Sequence, residues 1–118
     1  HHGQVQEAID LLVKLERYQT EQFARFLTKM KSINDGDGSL LDHTMIIFGS
    51  GMGNGNAHTN LNLPVVLAGG GFQHGQYHAF PANGPNRQPL STLFLSVLQR
   101  FGVEQQKFAL STGTLRGI

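Results

Sequence analysis

The chain has 118 residues, enough for one domain with its own core, and 39% of them are hydrophobic. Its net charge of +1 gives no general case for nucleic acid or membrane binding. It has no cysteine, which excludes disulfides, thiolate metal sites and cysteine nucleophiles. No apolar run approaches the roughly 20 residues of a membrane span, and no signal peptide is recognisable. Because an initiator Met is missing, we expect residues 1–118 to be a single subdomain cut from a larger protein.

Residues 4–33 have the pattern of one long amphipathic helix, with apolar residues every three or four positions from Val5 to Ile33. The Asp- and Gly-rich residues 34–38 then end it. At ~1.5 Å per residue the helix would span roughly 45 Å, against about 35 Å for a compact chain of this size. Such a helix either bends or packs against the remainder of the full-length chain, and we expect the second. Its uncovered apolar face also predicts self-association through the helix.

Two continuous apolar runs, residues 45–48 and 64–68, predict strands covered on both faces, the pattern typical of parallel sheets. Pro64 begins the second run, where a missing N–H does least harm. A second helix is predicted over residues 90–101, with Gly102 as its stop. The fold class is therefore α/β: a long N-terminal helix, a few buried parallel-type strands and a C-terminal helix.

The glycine- and asparagine-rich loop of residues 49–58 follows the first strand, where open α/β sheets place their ligands. Alternating glycines let a ligand approach main-chain N–H groups, although the same composition also occurs in flexible surface loops. The loop matches neither a dinucleotide fingerprint nor a P-loop. No carboxylate occurs in residues 43–103, so a ligand there must be bound by imidazoles, amides, hydroxyls and backbone groups. The candidate anion- or ligand-binding residues are Ser50, Gly51, Asn54 and Asn56.

Histidines supply the remaining candidates. His58 ends the loop and is either a metal ligand, a proton shuttle or a solvated side chain. His1 and His2 precede the long helix and are either metal ligands or the remnant of a purification tag. His43 follows Asp42, and both are interpreted as solvated polar residues leading into the first strand.

A serine hydrolase contained in this chain is excluded. The nucleophile elbow needs the pattern G-x-S-x-G, which the residues around Ser50 do not match. No nearby acid is available to orient a histidine partner.

The order of motifs resembles the C-terminal third of an uncharacterised bacterial family, domain of unknown function 1552, over essentially the whole chain. The motifs, in chain order, are His1-His2-Gly3, the long helix, Asp37-Gly38-Ser39-Leu40-Leu41-Asp42-His43-Thr44, Gly49-Ser50-Gly51-Met52-Gly53, His58, Asn62-Leu63-Pro64, Leu67-Ala68-Gly69-Gly70 and Phe108-Ala109-Leu110-Ser111-Thr112-Gly113. Such proteins look like exported bacterial proteins of several hundred residues. The resemblance therefore implies that residues 1–118 are a C-terminal subdomain of a larger protein, and that this protein has a periplasmic or extracellular location.

That family looks like a distant relative of the alkaline phosphatase and sulfatase superfamily. The resemblance implies a fragment of a three-layer sandwich and a divalent metal, zinc or calcium, with His1, His2 and His58 as its ligands. The chain departs from the better-patterned relatives because no Asp accompanies His2 and the loop before His58 has no carboxylate.

Two functions remain open from the sequence. The first is the C-terminal part of a metal-dependent phosphate or sulfate ester hydrolase, inactive alone because the superfamily's nucleophile comes from the N-terminal part. The second is a non-catalytic ligand-binding or structural module with a degenerate site. Neither involves nucleic acid or a membrane span.

Overall fold

The computed structural model describes residues 2–118 and divides into two compact units, His1–Gly71 and Phe72–Ile118. The first unit contains helix α1 (Gln6–Ser32), strands β1 (Asn34–Asp35) and β2 (Gly38–Ser39), and strands β3 (Met45–Gly49) and β4 (Val65–Gly69). The second contains helix α2 (Leu90–Arg100). The chain is therefore mixed α/β, as predicted.

Both predicted helices are confirmed within a few residues at their ends. Helix α1 has 27 residues and ends in Ser32, after which Ile33 adopts an extended conformation. Its acidic Glu7 lies in the first turn and its basic Lys29 and Lys31 in the last, which complements the helix dipole. Of the helix side chains, only Met30 is buried among those described.

The prediction of parallel strands is wrong. Strands β3 and β4 pair antiparallel, with Met45 opposite Gly69 and Gly49 opposite Val65. The chain between them contains no crossover helix. The amide of Ser50, just after β3, donates to the carbonyl of Pro64, just before β4, at 3.2 Å. The loop therefore leads from the end of β3 to the adjacent start of β4. A parallel pair needs a crossover across the sheet, and this connection makes none.

The prediction that these strands are buried on both faces is also wrong. None of the five residues of β3 is buried, and its Ile47 side chain is exposed. In β4, Ala68 and Gly69 are buried, but the Val66 side chain is exposed. On one face of β3 the Phe48 ring stacks on the Phe23 ring of α1, with centroids 4.3 Å apart. An antiparallel pair can leave its other face exposed.

In the second unit, side-chain hydroxyl groups of α2 bind the C-terminal segment. Thr92 of α2 is buried and its Oγ1 accepts a hydrogen bond from the amide of Thr112 at 3.3 Å. One turn later, Ser96 Oγ accepts from the amide of Leu115 at 2.8 Å and donates to the carbonyl of Thr92 at 3.0 Å. These bonds attach the irregular C-terminal segment to the helix.

Within residues 2–118, neither helix is both long and apolar enough to cross a membrane.

Candidate functional site

Backbone hydrogen bonds within the glycine- and asparagine-rich loop join its two sides in a turn. The amide of Gly53 donates to the carbonyl of Thr59 at 2.9 Å, and the amide of Thr59 donates to the carbonyl of Asn54 at 3.2 Å. Asn54 and Thr59 thus form an isolated antiparallel bridge around the four-residue turn 55–58. We call residues 53–59 the asparagine turn.

The side chain of Asn54 organises the interior of the asparagine turn. Its Oδ1 accepts hydrogen bonds from the amides of Asn56 and Ala57, both at 3.0 Å. An Asn side chain that bonds backbone amides two and three residues on replaces a backbone turn contact. His58 then has φ 52°, a left-handed conformation that is uncommon for a residue with a side chain.

Two glycines permit close backbone contacts here. A Cβ at Gly53 would overlap the carbonyl oxygen of Leu61, so no larger residue fits without movement. By contrast, a Cβ at Gly51 or Gly55 would meet nothing within 4 Å. These two positions are open to an approaching group.

The segment before α1 contacts the asparagine turn directly. The amide of Gly3 donates to Oδ1 of Asn56 at 3.1 Å, across 53 positions of sequence. Gly3 and Gln4 have φ values of 53° and 62°, and the amide of Val5 donates to the carbonyl of His2 at 2.8 Å. Residues 2–5 therefore form a tight turn that is attached to the asparagine turn.

The predicted site residues are thus partly brought together. The amide of Gly3 contacts Asn56 in the turn that also contains Asn54 and His58. His2 and Asn56 are half-buried and His58 is exposed. His1 lies outside the described residues. That the His2 and His58 rings act on one ligand stays a prediction.

Ser50 and several loop amides already have partners. Ser50 Oγ accepts from the amide of Met52 at 3.2 Å. The amides of Gly53, Asn56 and Ala57 donate within the loop, as described above. A role of other backbone amides of the loop in anion binding stays a prediction.

A hydrogen bond to the His2 ring affects its ability to bind a metal. Its Nδ1 lies 3.1 Å from the amide of Gln4 and accepts a hydrogen bond from it. A neutral imidazole whose Nδ1 accepts carries its proton on Nε2, so the other nitrogen is a donor. A metal-binding histidine instead donates from one nitrogen and ligates through the other's lone pair. In this arrangement His2 suits an acceptor ligand, and metal binding requires loss of the Gln4 contact.

Residues 2–118 contain no group of three or more His, Asp, Glu or Cys side chains positioned to hold a metal ion. Structural zinc sites use four ligands, and catalytic ones use three protein ligands with an open position. As they stand, the described residues do not fit a complete metal site.

A second polar cluster, which the sequence interpretation treated as solvated lead-in residues, surrounds His43. Its Nδ1 lies 3.1 Å from Asp35 Oδ2 and its Nε2 lies 3.3 Å from Asp37 Oδ1. The hydrogen bond to Asp35 raises the pKa of His43, and the negative charges of Asp35, Asp37 and Asp42 add to this against some desolvation. One imidazole thus bridges both carboxylates of the β1–β2 hairpin.

Asp42 completes this cluster. Its Oδ2 accepts from the amide of Ser39 at 2.8 Å and from the hydroxyl of Ser39 at 2.7 Å. The backbone hydrogen bond, followed by the hydroxyl bond, lowers the pKa of Asp42. The sequence feature that could have indicated this cluster is the pair of aspartates on either side of Gly36. A tight turn at that glycine places both carboxylates on one hairpin.

Comparison with known proteins yields no match, because no protein-family model, no curated protein and no solved structure is similar to this chain. The resemblance to domain of unknown function 1552, and through it to the alkaline phosphatase and sulfatase superfamily, stays a prediction.

Proposed function

We propose that this chain binds an oxyanion-bearing ligand, of the phosphate or sulfate ester class, where residues 2–5 meet the asparagine turn. The observation that carries the proposal is the hydrogen bond from the amide of Gly3 to Oδ1 of Asn56. This bond joins the two segments that contain the predicted site residues. Because this bond uses the side-chain oxygen of Asn56, the NH2 group of Asn56 is the part available to a ligand.

The groups left for a ligand are donors. The side-chain oxygens of Asn54 and Asn56 accept backbone hydrogen bonds, so each residue offers its NH2 group to a ligand. His2 offers Nε2–H, because its Nδ1 accepts from Gln4. Since residues 43–103 contain no carboxylate, no negative charge of the loop opposes an anion. A loop that offers donors and contains no carboxylate favours a phosphate or sulfate group over a cation, and the acidic residue next along the chain from residues 2–5 is Glu7 in the first turn of α1.

In the longer protein that the resemblance implies, this region would form one wall of an ester hydrolase site in a three-layer sandwich of the alkaline phosphatase type. We propose that the chain binds the oxyanion there and does not turn it over alone. No step of a reaction is assigned to it, because the superfamily's nucleophile would come from another part of the protein. Its cellular place would be periplasmic or extracellular, as in the resembling proteins.

A non-catalytic structural role is the second candidate. It is favoured by the internal use of the amides of Gly53, Asn56 and Ala57, which stabilise the turn instead of facing a ligand. Under this alternative the asparagine turn only fastens residues 2–5 to the first unit.

Isothermal titration of the 118-residue chain with inorganic phosphate and with sulfate distinguishes these candidates. The decisive variant is Asn56→Asp, which keeps an oxygen for the Gly3 amide but replaces the NH2 donor by an acceptor with negative charge. We expect it to weaken phosphate binding by at least about tenfold, since a donor becomes a repelling group. Asn60→Asp, an equal charge change at the exposed position just after the asparagine turn, is the control and should weaken binding by less than about threefold.

Two results would oppose the proposal. If neither anion binds the parent chain, or if both variants lose affinity equally, the structural role is favoured. If zinc binds instead and His58→Ala abolishes its binding, the site is a metal site completed by groups outside those described.

A further inference from the structure

Helix α1 has two apolar faces, and they have different surroundings. One face contains Phe23 and Met30. Phe23 stacks on Phe48 of β3, and Met30 is buried. This face attaches the C-terminal half of the helix to its own sheet.

The second face is uncovered along the helix. Leu11, Leu15, Tyr18 and Phe26 are exposed by 60%, 51%, 59% and 49% respectively. Their spacings of four, three and eight residues place them on one side of a helix. With 3.6 residues per turn, that side lies roughly a quarter-turn from Phe23. We call these four residues the outer stripe.

The charges along α1 are polarised. The N-terminal part contains only acidic charges, Glu7 and Asp10, and the C-terminal part contains only basic ones, Arg25, Lys29 and Lys31. The middle of the helix is balanced, with two residues of each sign: Lys14, Glu16, Arg17 and Glu21. The helix is therefore electrostatically complementary to a reversed copy of itself.

We propose that the outer stripe binds the outer stripe of a second copy of this chain, with the two α1 helices antiparallel. A two-fold axis near the middle of the helix brings each acidic end beside the partner's basic end. The helix dipoles also oppose each other favourably in this orientation. A parallel pair would place like charges together at both ends. In this arrangement the outer stripes of the two copies pack against each other, which removes four large apolar side chains per chain from water.

The first test is the oligomeric state of the 118-residue chain, measured by sedimentation velocity over a range of protein concentrations. We expect reversible dimers in the range of about 10–100 µM and weaker dimerisation at high salt, because the complementary charges are exposed. Leu15→Glu places a charge in the stripe and should raise the dissociation constant at least about tenfold. Val13→Glu is the matched control: Val13 is 57% exposed but lies on the opposite side of the helix, so dimerisation should be unchanged.

Helix content of both variants, measured by circular dichroism, separates loss of dimerisation from loss of folding. If Leu15→Glu also unfolds the chain, Tyr18→Lys tests the same stripe one turn further on.

The second test is orientation, and the absence of native cysteine makes it direct. Glu7→Cys and Lys29→Cys are prepared separately, mixed and oxidised. An antiparallel pair gives mainly mixed disulfide dimers, because position 7 of one copy lies near position 29 of the other. A parallel pair gives mainly self-linked dimers of each variant.

A chain that remains monomeric at all concentrations would overturn the proposal and leave the outer stripe for a segment beyond this chain. Preferential self-linking of each cysteine variant would overturn it as well. Equal effects of Leu15→Glu and Val13→Glu on dimerisation would show that the stripe is not the contact.

Discussion

The amide nitrogen of Gly3 lies 3.1 Å from Oδ1 of Asn56 and donates a hydrogen bond to it. Through this contact, the turn before α1 is held against the turn between β3 and β4. One bond of this kind at an exposed position contributes about 0.5–1.5 kcal/mol to stability. Its greater consequence is positional, because it sets the orientation of the Asn56 amide and brings the segment of His2 to the segment of His58.

The left-handed conformation of His58 provides a way to separate stability from binding. His58→Gly and His58→Ala both remove the imidazole, but only glycine relieves the cost of φ 52°. We expect the glycine variant to be about 1 kcal/mol more stable than the alanine variant in urea unfolding. If the imidazole contacts the ligand, both variants should lose phosphate affinity equally. Affinity that follows stability between the two variants would argue against a direct contact.

The close approach of Gly53 to Leu61 predicts a large local cost for any side chain. Gly53→Ala should destabilise the chain by more than about 2 kcal/mol, because the new methyl group overlaps a backbone oxygen. Gly55→Ala, where nothing lies within 4 Å, should change stability by less than about 0.5 kcal/mol. Thermal unfolding followed by circular dichroism compares them. Equal destabilisation by both substitutions would contradict the described backbone contact.

Two serines of α2 make a matched pair. Ser96→Ala leaves the amide of Leu115 without its acceptor and should cost about 1–2 kcal/mol. Ser91 Oγ is buried without a hydrogen-bond partner, so Ser91→Ala should be neutral or slightly stabilising. Urea unfolding of the two variants measures the difference. A Ser91→Ala variant as unstable as Ser96→Ala would mean that the hydroxyls do not hold the C-terminal segment.

The His43 cluster predicts a specific dependence on pH. Because the folded-state pKa of His43 is raised, its contribution to stability is fully present below its unfolded value of 6.5. That contribution is lost as pH rises through the folded pKa. The lowered pKa of Asp42 has the opposite consequence, since its contribution is present above 3.8 and is lost as pH falls through the folded pKa. The β1–β2 hairpin should therefore be best ordered on the mildly acidic side of neutrality.

Nuclear magnetic resonance titration of the His43 ring checks this directly. Asp35→Asn should lower the pKa of His43 more than Asp37→Asn does, because the hydrogen bond to Asp35 is the largest cause of the shift. Equal pKa values in the parent and in Asp35→Asn would refute the described pairing.

The sequence was most informative where a local pattern decides the structure. The apolar periodicity of residues 4–33 gives α1, and the apolar run of residues 45–48 gives β3. Strand direction was not predictable in the same way, because a continuous apolar run is compatible with either pairing. The direction of β4 relative to β3 depends on the path of residues 50–64, which is fixed by hydrogen bonds such as that between Ser50 and Pro64.

At the candidate site, too, local sequence features were predictable and long-range contacts were not. Asn54 and Asn56 were identified from a composition rich in glycine and asparagine, but the contact between Asn56 and Gly3 joins distant residues through one side chain and has no local signature. The residues of the His43 cluster are exposed, as interpreted from the sequence, but the pairing of His43 with Asp35 and Asp37 was not predicted. Recognising it required the register of β1 and β2, which places Asp35 opposite Gly38.

The most direct measurement is a titration of the isotopically labelled chain with inorganic phosphate at constant pH and ionic strength, followed by amide resonances. We expect saturable shifts of the Gly3 backbone amide and of the side-chain NH2 groups of Asn54 and Asn56, with little change at the β1–β2 hairpin. Sulfate should shift the same resonances. If these resonances do not move, or if the shifts grow linearly without saturation, the region where residues 2–5 meet the asparagine turn is not an oxyanion site.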